Sequence, residues 1–164
     1  SRSDKNNKIR LVICGEGEQF EDLYAIGKKY SSLIVPGWIE KNQINTLLNI
    51  SKAGILPYKS SLDFMRAYPN KVGEYLSAGL PILSSVQGAM KELLSGQNCG
   101  LTYQNRSPES FLRALKKLED DEKLRKFYSQ NAIKCFKQIF DANVVYKDYA
   151  AYVESFVVYN SDKK

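Results

Sequence analysis

Pro69-Asn70-Lys71-Val72-Gly73-Glu74-Tyr75-Leu76-Ser77-Ala78-Gly79-Leu80-Pro81-Ile82-Leu83-Ser84 is the stretch that decides how the chain folds. Pro69 sets an extended entry, and Asn70 is placed to cap a helix. Lys71 to Ala78 reads as a short helix with Val72, Tyr75 and Leu76 on one face. Gly79 suits the left-handed position after a helix, and Pro81 prevents the helix from resuming. Ile82 and Leu83 begin a buried strand that Ser84-Ser85 ends. Asn70, Lys71 and Glu74 are thereby set at a helix N-terminus, where free N–H groups favour anions. Lys71 in that first turn is disfavoured by the helix dipole alone, and an anionic ligand would account for it. The alternative is a capped helix whose charges are simply solvated.

Upstream, Lys8 to Cys14 is a β-rich run closed by Gly15-Glu16-Gly17, and a helix over about Glu18 to Tyr30 turns Phe20, Leu23, Tyr24 and Ile26 toward a core. A glycine turn between strand and helix is a general nucleotide-binding arrangement. It is no dinucleotide fingerprint, because Phe20 holds the third glycine position and no acidic residue ends the next strand, Leu33 to Val35. A helix over Asn42 to Ile50 points Ile44, Leu47 and Leu48 inward, and Ala53 to Pro57 reads as a buried parallel strand. Tyr58 to Tyr68 has no clear period and reads as a loop at the carboxyl end of that strand.

Downstream, a short helix spans Ala89 to Leu94. Ser107 caps the next, with Pro108 at its first position, Ser110 at its third, and Phe111, Leu112, Leu115 and Leu118 as its stripe. Asp120 to Phe140 reads as a single amphipathic helix carrying Leu124, Phe127, Tyr128, Ala132, Ile133, Phe136 and Ile139. Ala142 to Tyr159 is a last helix whose Tyr146, Tyr149, Tyr152 and Phe156 stripe is core or domain interface.

The 164 residues, 43% hydrophobic and 26% charged, suit one soluble globular domain. No stretch approaches the roughly 18 apolar residues of a membrane span, and the polar Ser1 to Lys8 lacks a signal-peptide core. The three cysteines, Cys14, Cys99 and Cys135, lack metal-ligand spacing and read as reduced, structural thiols, with Cys14 and Cys99 in strands. With no histidine, histidine triads and histidine metal sites are excluded within the chain. The net charge of +6 is spread over separate helices and mixed with Glu and Asp, so no nucleic-acid partner is expected. A basic surface suits a phosphorylated ligand or an anionic membrane face, or is only a solvated face.

PNKVGEYLSAGLPIL resembles the donor-binding signature of family 4 glycosyltransferases of the GT-B fold, in the branch written roughly P-x-K-x-x-E-Y-x-x-A-G-x-P. LVICGEGEQFEDL is similar to the family's first strand, glycine turn and helix. LIVPGWIEKNQINTLLNISKAGILPY is similar to its next two strands, with Gly37 and Ile39 in place and Gly54 where the family has aspartate. Gly88-Ala89-Met90-Lys91-Glu92 loosely matches G-G-x-x-E, and GQNCGLTYQ matches a hairpin-like strand with Gly96 and Gly100. The resemblance implies an α/β, Rossmann-like, doubly wound and mostly parallel sheet with C-terminal helices, one half of a GT-B fold. Residues 1–160 would be the C-terminal nucleotide-sugar-binding domain and 161–164 a polar tail. An N-terminal acceptor-binding domain of the same enzyme, absent here, would complete it.

The implied activity is retaining sugar transfer from a nucleotide-sugar, UDP- or GDP-linked, to a glycan or lipid-linked acceptor in polysaccharide or glycoconjugate assembly. The setting is cytoplasmic, with peripheral contact to the inner face of the membrane; the isolated domain would be inactive. The family's second signature glutamate matches Glu74, which would grip the ribose hydroxyls. Its first falls at Arg66, a departure that leaves the sugar contact open and offers a cation to the phosphates. Asn70 and Lys71 would bind the diphosphate, since Pro69 has no N–H, with Lys71 stabilising the leaving phosphate. Tyr68 lies in the same segment. Gly15, Glu16 and Gly17 would form the glycine turn at the donor. Backbone near Ile39 would receive the base, and Trp38 would cover it or serve in packing. No cofactor and no metal are implied. The alternative is a non-catalytic Rossmann-like nucleotide-binding or assembly module; a methyltransferase or response regulator would explain only the first strand and turn.

Overall fold

The computed structural model describes residues 9–59 and 61–161, with side chains to residue 156. The chain divides into two compact units, Ser1–Ile50 and Ser51–Lys164. Two expectations fall partly outside these residues: the start of the first strand at Lys8, and the tail at 162–164.

In the first unit, β1 (Leu11–Cys14), α1 (Phe20–Lys29), β2 (Leu33–Gly37) and α2 (Lys41–Ile50) follow one another. The strands pair in parallel, Leu11 with Leu33 and Cys14 with Gly37, with a register shift between. A ten-residue helix bridges them, as a parallel connection requires. Glu21 and Asp22 sit in its first turn and Lys28 and Lys29 in its last, complementing its dipole. Its inner face is narrower than the hydrophobic spacing implies. Phe20, Leu23 and Gly27 form it, and a Cβ at Gly27 would already stand 3.3 Å from Val35. Tyr24 and Ile26, expected in the core, are exposed. The Tyr24 ring instead stacks near Phe20 and carries the Lys28 ammonium 4.4 Å from its centroid. Cys14 and Ile44 are likewise exposed, while Leu47 and Leu48 are half-buried.

The second unit holds β3 (Gly54–Leu56), α3 (Leu62–Arg66), α4 (Lys71–Ser77), β4 (Ile82–Ser84), α5 (Ala89–Gly96), β5 (Gly100–Thr102), α6 (Pro108–Asp120) and α7 (Glu122–Cys135). A π-helical turn, Phe136–Phe140, and α8 (Ala142–Ser161) close it. The sheet order is β3-β4-β5, parallel throughout, with Gly54 opposite Ile82 and Ile82 opposite Gly100. Strand alternation builds a core on each face. Leu56 and Ile82 join Val72, Leu76, Met90, Leu94, Cys99 and Cys135 on one side. Ile55, Leu83 and Leu101 join Ala114, Leu115, Leu118 and Tyr128 on the other. Helices on both faces of short, apolar, parallel strands are the doubly wound arrangement.

Several expectations are corrected here. Tyr58 to Tyr68 is not all loop: Leu62–Arg66 is helical, and Phe64 stacks 4.8 Å from Tyr58. Asn70 is no side-chain cap; its own backbone is helical, and the Val72 N–H donates to the Pro69 carbonyl at 2.9 Å. The expected helix over Asp120 to Phe140 is broken at extended Asp121, whose Oδ1 accepts from the Leu124 N–H at 2.8 Å, and its end is wound as a π turn. Capping by Asp121 outweighs the continuous apolar period. GQNCGLTYQ forms no hairpin, because β5 runs parallel to β4. Leu112, Phe127, Ile133 and Ile139 are exposed, as are Tyr146, Tyr149, Tyr152 and Phe156 on α8, so that stripe is not core, the interface half of its expectation being untouched. Among the described residues, no helix is long and apolar enough to cross a membrane.

Candidate functional site

The sequence around Glu74 folds as a compact device. Val72 and Leu76 are fully buried, which fixes the inner face of α4 and leaves Lys71 and Glu74, one turn apart, exposed on the other. The helix ends in a Schellman motif. Gly79, at φ +69°, donates to the Leu76 carbonyl at 3.0 Å, and Leu80 donates to the Tyr75 carbonyl at 2.9 Å. Pro81 then leads straight into β4. Arg66 is the last residue of α3, and Tyr68 sets its ring edge-on to Phe140 at 5.5 Å. Arg66, Tyr68, Asn70, Lys71 and Glu74 all point to solvent. Among the described residues, the side chains of Arg66, Lys71 and Glu74 make no hydrogen bond or ion pair, and the N–H groups of Asn70 and Lys71 find no acceptor. The segment therefore offers two cations, a carboxylate and two amide donors to a ligand.

In the first unit, Gly15, Glu16 and Gly17 line a cleft of about 270 Å³ floored by Ile13, Phe20 and Val35. Gly15 donates to the Gly37 carbonyl at 2.7 Å, joining the glycine turn to the end of β2. The Glu16 carboxylate accepts from the Trp38 N–H at 3.4 Å. Trp38 is 69% exposed, so it is no packing residue within this unit. Ile39 beside it is half-buried, and its backbone groups make no hydrogen bond among the described residues. Each unit thus assembles its own share of the expected residues.

A second cleft of about 460 Å³ was not foreseen from the sequence. It opens at the carboxyl ends of β4 and β5, between Ser85, Gln87, Thr102 and the Tyr103-Gln104-Asn105 turn. Burial raises the Tyr103 phenol pKa above its ordinary value, and a hydrogen bond with Ser85 works against that rise. The available signal was the run of polar residues directly after two buried strands, the end at which open α/β sheets bind ligands. Among the described residues, no group of three His, Cys, Asp or Glu side chains could hold a metal ion.

Comparison with known proteins agrees with this architecture. The family description of group 1 glycosyl transferases matches residues 1–135, and the chain belongs to that family. It is 26% identical to an uncharacterized glycosyltransferase of Methanocaldococcus jannaschii over 158 residues, covering 94% of this chain and 39% of that protein. It also resembles the crystal structure of WaaG, a glycosyltransferase involved in lipopolysaccharide biosynthesis. That match has a TM-score of 0.59 and 22% identity over 75% of this chain and 32% of that one. The likeness shows the fold, a Rossmann-like α/β half of the GT-B kind. The chain spans well under half the length of either relative.

Proposed function

We propose that this chain is the donor-binding domain of a retaining, family 4 glycosyltransferase that takes its sugar from a UDP- or GDP-linked donor. The observation that carries this reading is the pairing of Lys71 and Glu74. The family pattern P-x-K-x-x-E-Y-x-x-A-G-x-P puts them one turn apart, and both are exposed and, among the described residues, unpartnered above a buried helix face. The Glu74 carboxylate accepts hydrogen bonds from the ribose diol. The Asn70 and Lys71 amides and the Lys71 ammonium hold the diphosphate, with Arg66 adding charge where the family has its first glutamate. When the bond from the anomeric carbon to the phosphate oxygen breaks, its electrons go to the phosphate, and Lys71 stabilises that charge. The acceptor hydroxyl bonds to the anomeric carbon as its proton passes to the departing phosphate oxygen. The acceptor is a glycan or lipid-linked glycan, a choice supported by the fold shared with WaaG, which is involved in lipopolysaccharide biosynthesis. An acceptor-binding domain of the same enzyme supplies the rest of the site at the cytoplasmic face of a membrane.

A titration of the chain with UDP, GDP and ADP, read by amide shifts, tests the reading. Saturable binding of UDP or GDP, lost in Glu74→Ala, is expected. Binding that survives Glu74→Ala and Lys71→Ala together would overturn the site. No binding of any nucleotide, by this chain or by one extended to a full two-domain enzyme, would overturn the function.

A further inference from the structure

Among the described residues, the cleft at the ends of β4 and β5 is lined by uncharged groups alone. The amides of Gln87, Gln104 and Asn105 and the hydroxyls of Ser85, Thr102 and Ser110 surround the Tyr103 phenol. Its frame is held before any ligand arrives. The Tyr103 N–H donates to the Ser84 carbonyl at 3.0 Å, and its ring packs edge-on to Phe111 at 5.1 Å. The Gln104 N–H donates to Ser110 Oγ at 2.9 Å, and the Ser110 N–H donates in turn to the capping Ser107 Oγ at 3.2 Å. Ser85 Oγ is tied to the Tyr58 carbonyl at 2.8 Å. By contrast, the side-chain amides of Gln87, Gln104 and Asn105 make no hydrogen bond among the described residues. Rigid backbone thus presents three unpaired amides, each with donors and an acceptor, around one fixed aromatic ring.

We propose that this cleft is a carbohydrate subsite for a neutral sugar, formed by Gln87, Tyr103, Gln104 and Asn105. Vicinal hydroxyls both donate and accept, which planar amides match, and the apolar face of a pyranose packs on an aromatic ring. The described lining carries no charged residue, which discriminates against phosphate, since phosphate needs compensation for its charge. The volume of about 460 Å³ admits one or two sugar rings. The subsite rests on the glycosyltransferase reading only for the source of its sugar, which is either the donor's hexosyl group or the acceptor glycan.

An amide-shift titration of the isotope-labelled chain with glucose, galactose, mannose, N-acetylglucosamine and their neutral disaccharides tests this. Saturable shifts confined to Gln87, Thr102 to Asn105 and Ser110 are expected for at least one sugar. Tyr103→Ala and Gln104→Ala should each weaken that binding about tenfold, a loss of about 1.4 kcal/mol. Tyr103→Phe, which keeps the ring, should lose less. The arms separate the two sources. If UDP- or GDP-glucose moves both α4 and the cleft while UDP or GDP moves α4 alone, the cleft holds the donor sugar. If free sugar and nucleotide-sugar bind together without competition, it holds acceptor. No saturable shift at the cleft with any sugar up to about 50 mM would overturn the proposal, as would shifts there with inorganic phosphate instead. Nucleotide binding at α4 with a silent cleft would overturn this inference and leave the donor reading standing.

Discussion

The ring of Tyr75 lies directly over Gly54, so closely that a Cβ on residue 54 would fall far inside van der Waals contact with it. Its hydroxyl reaches toward the Ile55 carbonyl at 3.5 Å. This contact ties α4 to β3 beside Glu74 and adds to the burial of Val72 and Leu76, which fixes the helix's inner face. Gly54 stands where the sequence resemblance leads one to expect aspartate, and the Tyr75 ring fills the space a side chain there would take. Gly54→Ala is therefore expected to cost about 1–3 kcal/mol through overpacking. In the Gly54→Ala/Tyr75→Ala double variant the two losses should fall short of their sum by at least about 0.5 kcal/mol. Urea denaturation of the four proteins measures this, and strict additivity would refute the contact.

Two glycine substitutions should act with opposite sign. Gly79→Ala forces a left-handed residue to carry a Cβ, which would also stand 3.1 Å from Ile133, so it should lose about 1–2 kcal/mol. Gly96 ends α5 with open space around it, and Gly96→Ala should be neutral or stabilising by up to about 1 kcal/mol. Thermal unfolding compares the pair directly.

Ser107 caps α6 by accepting from the Ser110 N–H, and its hydroxyl also donates to the Glu109 carboxylate at 3.1 Å. Ser107→Ala should cost about 1 kcal/mol. The Glu109 pKa is held below the ordinary glutamate range, first by its own backbone N–H and then by Ser107. A lowered folded-state pKa stabilises above the ordinary value, and that contribution is lost as pH falls through the folded one. A carboxyl shift titration should find Glu109 titrating low, and rising in Ser107→Ala.

The cysteines should separate by burial. Cys14 is exposed, whereas Cys99 and Cys135 are buried in one core and hydrogen-bonded to each other. That hydrogen bond, followed by burial, raises the Cys99 pKa and keeps it a thiol. A maleimide reagent should label one residue, Cys14, in the native chain, and all three only after unfolding. Rapid native labelling of Cys99 would contradict the packing.

Much of the architecture was legible because it rests on local rules. Gly79 and Pro81 end α4 where a left-handed residue and a missing N–H require it. Ser107-Pro108 starts α6 by capping, and the apolar runs before Gly15 and Ser84 become parallel strands. Where the reading failed, a competing local bond or a tertiary contact prevailed. Asp121 caps a new helix against an unbroken apolar period. Phe64 finds Tyr58 and organises a segment that has no period of its own.

By itself, the sequence determined most of the succession of elements, the glycosyltransferase class, and the identity of the charged groups flanking α4, since spacing and capping chemistry are written residue by residue. Tertiary structure alone decided which faces those elements present. Tyr75 packs on Gly54, while Phe20, Leu23 and Gly27 rather than Tyr24 face β2. Three amides from two strand ends converge on Tyr103. Burial depends on neighbours far apart in the chain, and a cleft exists only once parallel strands have brought their carboxyl ends together.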